Sequence, residues 1–165
     1  MIVEDGMIVT DANSYVTVAF ADAYHNARGN SAWTGTDAVK ESALIRATDY
    51  IEQVYSGRWI GHQQSDNQDL SWPRTFLHPF LSSNDYHVSG QIPKSLKQAV
   101  CVLALESFTD ELNPVRDRAI RREKVDVIEV EYMDNARNGK SRPAIDGLLR
   151  PYLNGTALNG QVVRV

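Results

Sequence analysis

The chain has 165 residues, 42% hydrophobic and 23% charged, with a formal net charge of -4. That length suits one domain with its own core and is small for an enzyme with separate substrate and cofactor lobes. The acidic balance argues against a nucleic-acid binder that works by bulk attraction, but leaves room for a local basic face.

Residues 1–17 place β-prone pairs (Ile2-Val3, Ile8-Val9, Tyr15-Val16) between Asp5-Gly6 and Asp11-Ala12-Asn13, which predicts a short extended arm ending at a helix cap. Thr17 is the expected N-cap of a helix over 18–28, stopped by Gly29, with Phe20, Ala23, Tyr24 and Ala27 on one apolar face. A second helix is expected after Thr36, running to about Tyr55 and stopped by Ser56-Gly57. Ala43, Ala47, Tyr50 and Val54 form its apolar stripe, widened by Leu44 and Ile51.

Between Gly57 and Gly90 the helical period disappears, while Trp59, Trp72, two prolines and three histidines (His62, His78, His87) fall within this stretch. A loop this long in a compact domain is usually functional or held by a partner, and its aromatics predict packing. Ile92-Pro93 opens a third helix with Leu96, Ala99, Val100 and Leu103 on its core face, fading before Asn113-Pro114. Its continuous apolar run at 99–105 marks it as the central helix and makes Cys101, the one cysteine, a buried structural thiol.

A basic cluster follows (Arg116, Arg118, Arg121, Arg122, Lys124) and runs into a β-type segment carrying Asp126, Glu129 and Glu131. The apolar parity changes between Val127 and Ile128, which predicts a bulge or the end of one pairing and the start of another. After an Asn138-Gly139 turn, Ile145, Leu148, Leu149 and Tyr152 predict a last helix that kinks or ends at Pro151. Residues 161–165 could form a final strand. The expected fold is mainly α: a small bundle of about four helices with a β-hairpin or extended arms and a long central loop. One domain covers 1–165, with an N-terminal arm over 1–17 and a C-terminal tail over 154–165.

Few residues suggest chemistry. His62, His78 and His87, with Asp66, Asp69 and Asp85, match no short metal-ligand spacing, so neither a metal nor a cofactor is expected. There is no Gly-rich phosphate loop or nucleophile elbow, and the carboxylates are interleaved with Lys and Arg as on a solvated face, so no catalytic residues are assigned. Arg58-Trp59 and Trp72-Pro73-Arg74 each put an indole near a guanidinium, the working parts of a single-strand binder. The plainer reading, which the acidic balance favours, is that each ring anchors the loop to the core and an arginine covers it. No apolar leader opens the chain and no apolar run approaches the ~20 residues of a membrane span, so synthesis in the cytoplasm and no membrane partner are expected.

Several stretches in order resemble one phage-encoded family. They are residues 12–18 leading into Ala21-Asp22-Ala23-Tyr24, then Ala27-Arg28-Gly29-Asn30 with Trp33, and Leu70-Ser71-Trp72-Pro73-Arg74. Ile92-Pro93, Ala99-Val100-Cys101, Arg122-Glu123-Lys124-Val125, residues 128–132 and residues 143–149 continue the match over nearly the whole chain. The family carries the label of DnaT-like single-strand DNA-binding proteins and also resembles the head–tail connectors, or adaptors, of tailed bacteriophages.

The connector resemblance implies a structural virion protein at the head–tail interface. It would form a ring, commonly of twelve copies, beneath the portal protein, close the packaged head, surround channel DNA non-specifically and dock a tail or tail-completion protein. On that reading Arg121, Arg122, Lys124, Val127, Glu129 and Glu131 join subunits, the cations facing Glu129 and Glu131 of a neighbour, while Val162, Val163, Arg164 and Val165 dock a partner. The alternative is a DnaT-like replication accessory that contacts single-stranded DNA through Arg58, Trp59, Trp72 and Arg74.

Overall fold

A computed structural model describes residues 1–75, 91–113, 122–125, 128–131 and 142–154. The described elements are α1 (Val18–Asn26), α2 (Asp37–Tyr55), β1 (His62–Gln63), β2 (Arg74–Thr75), α3 (Lys94–Glu106), β3 (Arg122–Val125), β4 (Ile128–Glu131), α4 (Pro143–Leu149) and a closing 3-10 turn (Arg150–Tyr152). The protein is therefore a mainly α fold of four helices with small antiparallel hairpins, as its sequence pattern predicts. No described helix is long and apolar enough to cross a membrane.

Local chemistry sets the helix limits. The Thr17 side chain accepts a hydrogen bond from the Phe20 amide at 3.1 Å, so the expected cap starts α1. The helix ends at Asn26, two residues earlier than expected, and Gly29 completes the exit with φ +65°. In α2 the apolar stripe holds: Ala43, Leu44, Ala47, Tyr50 and Ile51 are buried, while Val54, near the end, is exposed. Pro93 stands just before α3 as its N-cap, and α3 stops at Glu106, well before Asn113. Pro151 ends α4 as α-helix, and the chain tightens into the 3-10 turn.

The core lies where α3 packs between α2 and α4, with α1 against both α2 and α3. Leu96, Ala99, Val100, Cys101, Leu103 and Ala104 are all buried, which makes α3 the central helix. Burial pushes the Cys101 thiol up to about 12, so it is a packing group, not a nucleophile. Arg142 fastens α4 to this core. Its Nε and Nη2 donate to the two Glu106 carboxylate oxygens at 2.9 and 3.2 Å, and Nη1 donates to the Tyr50 hydroxyl at 2.8 Å.

The first seventeen residues, expected as an extended arm, fold back onto their own chain. The Glu4 amide donates to the Ser14 carbonyl at 2.8 Å, and the buried Glu4 carboxylate accepts from the amides of Gly6, Ile8 and Val9 at 2.7, 3.1 and 2.8 Å. Those three bonds hold a tight loop in which Ile8 and Asp11 take φ of 61° and 58°. Tyr15 then reaches the centre, where its hydroxyl donates to Glu52 at 2.5 Å and accepts from the Trp72 amide at 3.2 Å. Burial, with the adjacent Glu52 charge, raises the Tyr15 phenol well above its ordinary value.

The described part of the central loop is packed. Trp72 is 0% exposed and meets Trp59 edge-on at 5.8 Å and Tyr152 edge-on at 5.5 Å, drawing the loop, the end of α2 and the 3-10 turn together. The Trp72-Pro73 peptide is cis. Replacing Trp72 with Ala should lower the unfolding free energy by about 3–5 kcal/mol, read as a shifted urea midpoint of the full-length chain.

Candidate nucleic-acid interface

The two indoles of the alternative single-strand site face the interior, as the plainer reading has it. Trp72 is fully enclosed, and Trp59 is 4% exposed against Tyr55 and Trp72. Neither offers a ring face to solvent, because anchoring the loop buries more apolar surface than leaving the rings outside. Both indole N–H groups lack a hydrogen-bond partner, at a cost of about 1–3 kcal/mol each that ring burial must offset.

The neighbouring guanidiniums serve the same packing. Arg74 Nε donates to the Ile60 carbonyl at 2.8 Å, Nη2 to Gly61 at 2.7 Å and Nη1 to Ser71 at 3.1 Å, so all three nitrogens staple loop backbone. Arg58 lies half-buried with its guanidinium carbon 5.1 Å from the Tyr55 ring centroid. The four residues of the alternative site thus form two enclosed rings with two half-buried cations, Arg58 and Arg74.

Part of the charge-segregated segment forms the expected hairpin. Strands β3 and β4 pair antiparallel, with Arg122 opposite Glu131 and Lys124 opposite Glu129. Basic and acidic positions therefore stand opposite one another in register within one chain. Only two residues separate Val125 from Ile128, the shortest common hairpin connection, and that spacing imposes the pairing. Arg121, Val127 and the docking residues Val162, Val163, Arg164 and Val165 lie outside the described residues, as do most of the basic cluster and most of the tail. Asn154, where the tail begins, donates its amide to the Arg58 carbonyl at 2.7 Å.

A different surface brings aromatic rings and cations together. Periodicity puts Phe20, Ala23, Tyr24 and Ala27 on the buried face of α1, yet the helix is rolled so that Ala21 and His25 are buried, Phe20 and Tyr24 are half-buried, and Ala23 and Ala27 are exposed. His25 causes the roll. It stacks on Trp33 at 4.6 Å, meets Tyr24 edge-on at 5.1 Å, and its Nδ1 lies 3.0 Å from the Asn30 side-chain amide. Asp22 takes part too, accepting from Trp33 Nε1 at 2.6 Å and pairing with Lys40 at 2.8 Å.

With His25 and Asp22 turned inward, Phe20 and Tyr24 come to the edge of the body. The exposed Arg28 lays its guanidinium carbon 3.6 Å from the Tyr24 ring centroid, and Lys97 of α3 holds its ammonium 5.9 Å from the Phe20 centroid. No residue pattern marked this face in advance, since alanines and rings at helical spacing read as core; the departure lies in a histidine that fills the interior in their place. Among the described residues, no group of three or more His, Cys, Asp or Glu is placed to hold a metal ion.

His25 is 1% exposed and makes no hydrogen bond at Nε2. Burial lowers its affinity for a proton, the Cys101 carbonyl partly offsets this, and the Arg28 charge lowers it further. The folded form therefore prefers the neutral ring, and the unfolded chain binds more protons as pH falls below about 6.5. Stability contributed by neutral His25 is present above that value and is lost as pH falls. Urea unfolding from about pH 7.5 to about pH 5.5 should show a steeper loss for the native chain than for His25→Phe, which keeps a ring but cannot titrate.

The chain matches one family model along its whole length. That family is described as "Putative DnaT-like ssDNA binding protein", the match covers residues 1–165, and the chain belongs to this family. No curated protein and no solved structure matched the chain.

Proposed function

We propose that this protein binds single-stranded DNA and acts as a DnaT-like accessory of replication. Membership of the family over residues 1–165 carries this reading. The geometry supports it in one respect: half-buried rings and cations that lie over them share a surface, as sequence-tolerant strand binding requires. A net charge of -4 does not oppose it, because a strand responds to the local field of the groove it lies in.

A second reading, a ring-forming connector beneath a phage portal, draws on the burial of Trp59 and Trp72 together with the acidic balance. Both features suit a part that is built into an assembly and owes nothing to base stacking at those rings. On this reading the partners are further copies of the chain, a portal protein and a tail protein.

Titrating a labelled oligothymidylate with the full-length chain at several salt concentrations separates the two. The first reading expects saturable binding whose logarithm falls linearly with log salt, at about 0.7 per phosphate neutralised. The absence of binding at low salt, with the chain instead recovered in tailed particles, would favour the connector.

A further inference from the structure

We infer that the α1–α3 face built from Phe20, Tyr24, Arg28, Lys94 and Lys97 is the surface on which the strand lies. The inference rests on the single-strand reading and adds to it a site distinct from the tryptophan loop. Phe20, Tyr24 and Arg28 follow one another at four-residue intervals, so they form a row along one side of α1 and its exit. Lys94 and Lys97 share one side of α3 at three-residue spacing, and Lys97 reaches Phe20 of the neighbouring α1.

The chemistry of the two rows is complementary to a strand. Bases need flat surfaces; Tyr24 and Phe20 supply rings, and the Arg28 guanidinium lying 3.6 Å over Tyr24 extends that stack outward as a second plane. Phosphates need cations, and Arg28 and Lys94 are exposed while Lys97 is half-exposed above Phe20. The exposed alanines Ala19, Ala23 and Ala27 flank the ring row and leave the neighbouring helix surface low.

Repulsion at this face is small. The one carboxylate of α1, Asp22, is engaged by Trp33 at 2.6 Å and by Lys40 at 2.8 Å, and Lys40 and Trp33 hold its carboxyl below the ordinary range. By contrast, α2 exposes Asp37 and Asp49 among its cations, and the described loop exposes Asp66 and Asp69. Across the described residues this face joins rings and cations, and the one acid of its own helix, Asp22, is 35% exposed and paired with Lys40.

The test uses the full-length chain and a fluorescein-labelled oligothymidylate longer than one site of about 16 nucleotides. Tyr24→Leu keeps apolar bulk and removes the stacking ring, and should weaken binding about tenfold. Arg28→Gln with Lys97→Gln should flatten the salt slope by about 0.7 per cation removed, while Arg58→Gln should bind as the native chain does. Ultraviolet cross-linking of the native chain, mapped by mass spectrometry, should place the DNA on peptides containing residues 17–28 and 94–101, which keeps the test independent of how the variants fold. Native binding with undiminished affinity in the Tyr24, Arg28 and Lys97 variants, or cross-links confined to 57–75, overturns this surface and leaves the single-strand reading standing. Failure of the native chain to bind overturns both.

Discussion

The Glu52 carboxylate is the point at which the separate parts of this chain are tied together. From the last turn of α2 it accepts the Tyr15 hydroxyl at 2.5 Å, the Ser71 amide at 3.0 Å and the Ser71 hydroxyl at 2.6 Å. Tyr15 in turn accepts the Trp72 amide, so one carboxylate fixes the N-terminal loop and the central loop in a single network. Such bonds to an ionised, partly buried acceptor are stronger than neutral ones, and leaving any donor unpaired inside would be costly. The network sets Trp72 among Trp59 and Tyr152, and that cluster holds the 3-10 turn to the end of α2. A loop that is long in sequence is thereby tied to the core at Trp59, Leu70, Ser71 and Trp72.

Burial of these groups changes how the formal charge should be read. Glu4 is enclosed by three backbone amides, Glu52 by Tyr15 and Ser71, Asp22 by Trp33 and Lys40, and Glu106 by Arg142. All of them count toward a net charge of -4, yet each is turned toward an internal partner. Acidity summed over the chain thus describes solubility better than it describes any one face. Just past the end of α1, Arg28 meets solvent, while Asp22, 35% exposed, is paired with Lys40.

Much of the architecture was legible in the sequence, and the reasons are local. Thr17 as a cap, Gly29 and Gly57 as exits, Pro151 as a helix breaker and the apolar run of α3 each act through backbone sterics or burial that a few residues determine. The orientation of α1 was not legible. Alanine is nearly indifferent to burial, and His25 counts as polar until Trp33 and Asn30 are brought around it by tertiary contact. The use of an indole was open for the same reason, since Trp59 and Trp72 fit a core strut and a stacking platform equally well by type. The hairpin register became clear only with the two-residue connection, which turns a pattern suited to neighbouring subunits into a pairing within one chain.

The account stands or falls on the tryptophans being interior struts. Iodide quenching of the native chain's tryptophan emission, with and without oligothymidylate, measures this directly. Enclosed indoles predict blue-shifted emission that iodide barely reduces and that DNA leaves in place. Emission at the wavelength of water-exposed indole, quenched freely by iodide and shielded by added DNA, would contradict it.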